Sequence, residues 1–164
     1  MADAHPIYWV EASLPGRLAI VARPRGRADF ATMKAAGIDV LASLLEPEEA
    51  ALVGLADEAG ACARAGIAFV HLPVTDHGIP RSFPEMEAAI ASFADHLGAG
   101  RGVAAHCYAG LGRSPLLVAG ILVHYGHSSD GAIRLVSEAR GYRVPEMRSQ
   151  HAWLRELAER RAAR

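Results

Sequence analysis

Apolar and polar residues follow two different periods along this chain, and each change of period marks the border of a strand or helix. Tyr8 to Val10 and Arg17 to Ala22 read as short strands either side of the turn-forming Leu14-Pro15-Gly16, with Pro24 closing the second, so a small hairpin is expected. Asp29 to Ala36 is Ala-rich and stopped by Gly37, a short helix, and Ile38 to Leu45 is a β-branched and Leu-rich buried strand. Pro47 then opens a helix with Glu48 and Glu49 in a first turn that suits the helix dipole. Leu52, Leu55, Ala56, Ala59 and Ala63 continue it at helical spacing, which predicts one helix ending at Gly66.

Ile67 to Leu72 is the next strand, and Pro73 to Pro80 is too rich in Pro, Gly and Asp to be anything but a loop. Ser82 is placed to cap a helix from Pro84 to Leu97. Three glycines, Gly98, Gly100 and Gly102, precede a compact strand, Val103 to Cys107, which runs into the stretch Tyr108 to Gly112. Ser114-Pro115 starts a helix with apolar body Leu116 to Tyr125, and Ser129 to Arg140 and Pro145 to Ala163 form two amphipathic helices. Alternating strands and helices followed by a helical C-terminal third predict the α/β class: one domain over 1–164, with a single central, mostly parallel sheet flanked by helices.

With 164 residues, 51% apolar and 21% charged, the chain can bury a real core, which excludes disordered and low-complexity architectures. Seventeen basic and eighteen acidic residues give a net charge of −1, so nothing draws the whole protein to nucleic acid or to a membrane surface. An anion would have to be held locally. The longest apolar run, Pro115 to Val123, is far short of a membrane span, and Met1 to Val10 has no export pattern, so a cytoplasmic monomer with neither nucleic-acid nor membrane partner is expected. Cys62 and Cys107 fit a reducing compartment. Lys34 is the only lysine among the basic residues, a bias of GC-rich, bacterial coding.

The chemistry is concentrated where the strand ending at His106-Cys107 meets Tyr108-Ala109-Gly110-Leu111-Gly112 and then Arg113-Ser114-Pro115. In such a strand–loop–helix junction successive backbone N–H groups can converge on one anion, and the helix dipole adds positive potential. That field favours thiolate over thiol in a cysteine at the start of the loop, making Cys107 a candidate nucleophile. Arg113, six residues on, brings a planar fork able to take two phosphate oxygens. A Walker loop would need Gly at Cys107 and Lys at Arg113, and a dinucleotide fingerprint starting at Gly110 would need Gly at Pro115, so both readings fail.

His106-Cys107, five residues, then Arg113-Ser114 resembles the signature of the cysteine-dependent protein tyrosine and dual-specificity phosphatases. Within that superfamily the chain is most similar to the small kinase-associated phosphatase type, related to the cyclin-dependent kinase inhibitor 3 family. The similarity takes in Arg17 to Ile20, Ile38 to Leu45, the Asp76 loop, the signature and Arg140-Gly141. It implies a phosphotyrosine-phosphatase-like fold, a phosphorylated protein or peptide as substrate, a phosphocysteine intermediate, and no metal or cofactor. Residues Tyr108 to Arg113 would bind the phosphate, Asp76 would protonate the leaving oxygen, and His106 would stabilise the thiolate indirectly. Ser114, which could also cap its helix, would help the thiolate leave in the second step, and Gln150 would help place the hydrolytic water. Glu146 and Met147 depart from the commoner Gln-Thr opening of that last segment.

Other features carry less. Cys62 reads as a small core residue or, alternatively, a resolving partner for an oxidised Cys107, His124 and His127 as surface histidines, and Arg23, Arg25 and Arg27 as a solvated rim. The other classes of function open to the chain are a rhodanese-type sulfurtransferase, which would not need Asp76, and a catalytically silent phosphopeptide-binding module, which would be expected to lose Cys107 or Arg113, and neither is lost.

Overall fold

The computed structural model describes residues 4–164. Its strands are β1 (Ile7–Trp9), β2 (Arg17–Val21), β3 (Val40–Ser43), β4 (Ala68–His71) and β5 (Gly102–His106). They form one sheet in the order β1-β2-β5-β3-β4, parallel except for the β1–β2 pair. The helices are α1 (Arg27–Ala35), α2 (Pro47–Leu52), α3 (Glu58–Ala65), α4 (Phe83–Gly98), α5 (Arg113–His124), α6 (Ser129–Arg140) and α7 (Arg148–Ala162). The α/β class and the mostly parallel sheet stand as expected.

A strand's period of two sorts its side chains between the two faces of the sheet. Leu18, Ile20, Val40, Ala42, Val103 and Ala105 join one core with α4, α5, α6 and α7, whereas Ala19, Val21, Leu41 and Ala104 join a second core with α1 and α3. β5 lies in the middle and is buried at every residue. Its neighbours approach so closely that a Cβ at Gly102 would lie 1.9 Å from the carbonyl oxygen of Gly37, so only glycine fits there. Asp39 secures the same point by accepting the Gly102 N–H at 2.9 Å and the Lys34 ammonium at 2.9 Å, and the Gly102 hydrogen bond leads in holding its carboxyl below the usual range.

Three expectations change. The helix expected from Pro47 to Gly66 is two helices, because Gly54 takes the left-handed region (φ 77°) and turns the chain; Leu52, expected on the apolar face, is 87% exposed. The last helix starts at Arg148 rather than Pro145, since Met147 is extended (φ −99°, ψ 138°) and stands as its N-cap. Ser114 does not cap α5: that position is Gly112, and the helix already runs from Arg113. Proline at the third helical residue costs no intrahelical hydrogen bond, because the first turn's N–H groups have no partner within the helix.

Candidate active site

The junction after β5 sits between the strands on either side of it, and the exits of β2, β3 and β4 all reach it. Cys107 and Arg113 line one cavity of about 100 Å³ together with Asp76, His77, Tyr108, Ala109, Leu111, Gly112 and Glu146. A larger cleft of about 770 Å³ runs between α1 and α3 on the other face of the sheet. The smaller cavity is the candidate site because thiol, guanidinium and exposed carboxylate meet there.

Every carbonyl of the loop from Cys107 to Leu111 faces a polar nitrogen outside the loop. The Cys107 oxygen faces His106 Nδ1 at 3.2 Å, Tyr108 takes Arg23 Nη1 at 3.2 Å, and Leu111 takes the Glu146 N–H at 2.9 Å. Arg140 spans two more, from Nη2 to Ala109 and from Nε to Gly110, each at 3.2 Å. A trans peptide sets C=O and N–H on opposite sides, so these contacts turn the N–H groups of residues 108 to 112 the other way. None of those N–H groups donates to a protein acceptor among the described residues. They are left free to bind an anion, the arrangement that the sequence pattern predicts.

Arg23 and Arg140 are in turn braced by aromatic rings. Arg23 lies 4.2 Å from the centroid of Tyr108, and Arg140 lies 4.4 Å from that of Tyr8. Arg23, expected on a solvated rim, is therefore half-buried and a loop support.

Arg113 is 2% exposed and held from three directions. Nη1 and Nη2 donate to the two carboxylate oxygens of Glu49 at 2.7 and 3.0 Å; Nη1 also reaches the carbonyls of Val74 at 2.9 Å and Leu44 at 3.4 Å. Nη2 lies 3.3 Å from Asp76 Oδ1. Burial opposes the guanidinium charge, but the Glu49 hydrogen bonds, with the negative charges at Cys107, Glu49 and Asp76, more than offset it and leave Arg113 above its ordinary range. The same Arg113 hydrogen bonds hold Glu49 below the usual carboxylate range.

The remaining expected residues assemble here too. Cys107 Sγ and Ser114 Oγ are 3.2 Å apart, both buried, so the hydroxyl left free of capping faces the sulfur. Asp76 is 57% exposed on a loop turned by His77 in the left-handed region (φ 61°), and it accepts the His77 N–H at 3.0 Å. Gln150 is fully buried and bridges two segments: Oε1 accepts the Met147 N–H at 3.1 Å and Nε2 donates to the Gly78 carbonyl at 3.1 Å. Its amide also packs on Gly112, where a Cβ would lie 3.0 Å from Nε2. Gln150 thus ties the Asp76 loop to α7 beside the anion nest.

Sequence reasoning missed Glu49 as a partner of Arg113, Glu58 as a partner of His106, and the two arginines on the loop carbonyls. Glu58 had one visible signal, a carboxylate four residues before Cys62 on a helix face otherwise made of Ala and Gly. Cys62 itself is buried in the core on the opposite face of the sheet from Cys107, which suits a small core residue and not a resolving partner. Burial first, and the Glu58 charge second, push its thiol up to about 12.

Known proteins share this fold. Kinase associated phosphatase (KAP), in a form with its catalytic-site cysteine changed to serine, superposes with a TM-score of 0.89 at 22% identity, over 100% of this chain and 99% of its own. Tk-PTP in its active form gives 0.79 at 24% identity over 98% and 99%. PTPMT1 in complex with PI(5)P gives 0.78 at 20% over 89% and 92%. No curated protein matches the sequence significantly. The family model described as "Polymorphic toxin system, DSP-PTPase phosphatase" matches residues 19–127, two-thirds of the chain and all of the loop from Cys107 to Arg113. The chain belongs to that family, a phosphatase of the dual-specificity superfamily.

Proposed function

We propose that this protein hydrolyses phosphate monoesters on phosphorylated proteins or peptides, on phosphotyrosine and with dual specificity, through a phosphocysteine intermediate. The Cys107 thiolate attacks phosphorus, the S–P bond forms as the P–O bond to the leaving group breaks, and Asp76 gives its carboxyl proton to the departing oxygen. Arg113 and the N–H groups of residues 108 to 112 bind the equatorial oxygens as charge spreads over them. In the second step Asp76, now a carboxylate, takes a proton from water as its oxygen attacks phosphorus. The S–P bond breaks with its electron pair returning to sulfur, and the Ser114 hydroxyl, 3.2 Å away, is placed to donate to the departing thiolate. Gln150 holds the acid loop in place through Gly78.

The observation that carries this reading is the convergence of Cys107, Arg113 and Asp76 on one small cavity beneath five outward-pinned carbonyls. A sulfurtransferase would not need Asp76 beside the guanidinium.

The test is p-nitrophenyl phosphate hydrolysis with EDTA present, set against thiosulfate and cyanide in the same buffer. Phosphatase turnover that disappears in Cys107→Ser while phosphate binding survives is expected, because a serine hydroxyl does not ionise in such a loop. Activity of Cys107→Ser within about tenfold of wild type overturns the covalent mechanism, since a lost nucleophile costs several kcal/mol of barrier. A phosphopeptide array probed with Cys107→Ser beside a phosphoinositide series then decides the substrate class, and capture of the lipids alone overturns the protein-phosphatase reading.

A further inference from the structure

Both ring nitrogens of His106 face acceptors. Nδ1 lies 3.2 Å from the Cys107 carbonyl oxygen and Nε2 lies 2.5 Å from a carboxylate oxygen of Glu58, with the ring fully buried and the Glu58 side chain 3% exposed. A neutral imidazole has one N–H and one lone pair. With a neutral ring against an ionised Glu58, one of the two contacts would therefore set lone pair against lone pair where solvent cannot intervene. Two protons satisfy the line from carbonyl through imidazole to carboxylate: one on Nδ1, and one in the short bond between Nε2 and Glu58.

The surroundings leave Glu58 as the group that permits the second proton. Among the described residues no other side chain donates to its carboxyl. Cys62, one turn along α3, stays a neutral thiol. On the sheet, the residue paired with His106 is Ser43 of β3, whose hydroxyl accepts the Leu45 N–H at 3.3 Å. Glu58 also occupies the first turn of α3, where a negative charge suits the helix dipole.

We infer that Glu58 is a positioning residue for the nucleophile: it retains a proton on the far nitrogen of His106, so that the near nitrogen donates to the Cys107 carbonyl and the ring lies beside the sulfur's residue as the cationic half of a buried pair. The inference rests on Cys107 being the nucleophile. It gives the first of the five carbonyl contacts its donor, and it sets a positive charge behind the residue that must ionise. The influence crosses the sheet, since Glu58 comes from the α1–α3 side and Cys107 packs with the α5 side.

Nitrogen-15 NMR of the wild-type protein tests the proton count without any mutation. At pH 7 both ring nitrogens of His106 are expected to be protonated; a single protonated nitrogen overturns the inference. In a Cys62→Ser background, where Cys107 is the sole thiol, Glu58→Gln is expected to slow iodoacetate alkylation of Cys107 at pH 6.5 by about tenfold. That is the size of effect expected from one lost charge-assisted hydrogen bond, with partial recovery in Glu58→Asp. An alkylation rate unchanged in folded Glu58→Gln overturns the positioning role even if thermal stability drops. Neither readout depends on turnover, so a wild-type protein that fails to hydrolyse phosphate esters while showing both effects would sink the phosphatase reading and leave this one standing.

Discussion

Glu49 holds Arg113 by both carboxylate oxygens, at 2.7 and 3.0 Å, across 64 residues of sequence. The grip fixes the plane of the guanidinium before any anion arrives, and a positioned planar fork is worth more than a mobile charge. Glu49→Gln should lower kcat/KM for an aryl phosphate about 10–100-fold, the range of lost hydrogen bonds to a charged group. Arg113 keeps its charge in that variant, so the loss measures orientation.

The same pair sets a pH dependence of stability. Arg113 holds the Glu49 carboxyl below its ordinary range, so folding favours the ionised form. The stabilisation is present above the unfolded value of about 4.3 and is lost as pH falls through the lower folded value. Thermal unfolding between pH 6 and pH 3 should show wild type losing stability faster than Glu49→Gln, the two converging at the acid end. Parallel curves would mean that the pair contributes nothing to folding.

Arg140 carries two of the five outward carbonyl contacts and Arg23 carries one. Arg140→Met should therefore weaken phosphate and vanadate binding more than Arg23→Met, with the loss appearing mainly in KM because the nest meets the same oxygens in ground state and transition state. Equal, small effects of the two substitutions in competitive inhibition by phosphate would show that the loop holds its shape unaided.

How much of this was readable in advance depends on the range of each interaction. The β5–loop–α5 junction was legible because it is local: a small-residue strand, two glycines and an arginine at fixed spacing need no distant partner to be recognised. The break at Gly54 was hidden because Leu55 keeps helical spacing with Leu52 across it, although Leu55 is buried and Leu52 exposed. Glu49 was assigned to the dipole of its own helix, an adequate local reason that concealed a partner elsewhere. Glu58 and Arg23 likewise have roles that exist only once β5 lies between its neighbours.

Asp76 faces Arg113 at 3.3 Å from an exposed loop, a position suited to meeting a leaving group at the mouth of the cavity. An alkyl alkoxide needs protonation far more than a phenolate, whose conjugate acid has a pKa of about 10, and a nitrophenolate needs it least. Asp76→Asn should damage phosphoserine and phosphothreonine turnover most, phosphotyrosine next and p-nitrophenyl phosphate least. A uniform loss over the three would reduce Asp76 to a loop-shaping residue and direct attention to His77.

Gln150 joins Met147 and Gly78 from a fully buried position. Removing its amide in Gln150→Ala leaves the part-buried Met147 N–H and Gly78 carbonyl without their partner and opens a space at a fully buried position, which should cost about 1–3 kcal/mol of stability. It should also slow turnover of alkyl phosphates more than nitrophenyl phosphate, because the loosened loop is the one that carries Asp76, the proposed acid. Urea unfolding and the same three-substrate comparison check both halves.

The contacts that make the site span great lengths of chain: 85 residues from Arg23 to Tyr108, 72 from Gly78 to Gln150, 64 from Glu49 to Arg113 and 48 from Glu58 to His106. Closing loops of that length is entropically costly and is offset only when the whole sheet and its last helix are assembled. A partly folded chain thus carries the cysteine, the arginine and the glycines without the geometry that makes them reactive. Recovery of activity during refolding reports the final docking of distant segments, and the half-made protein stays chemically quiet until that moment.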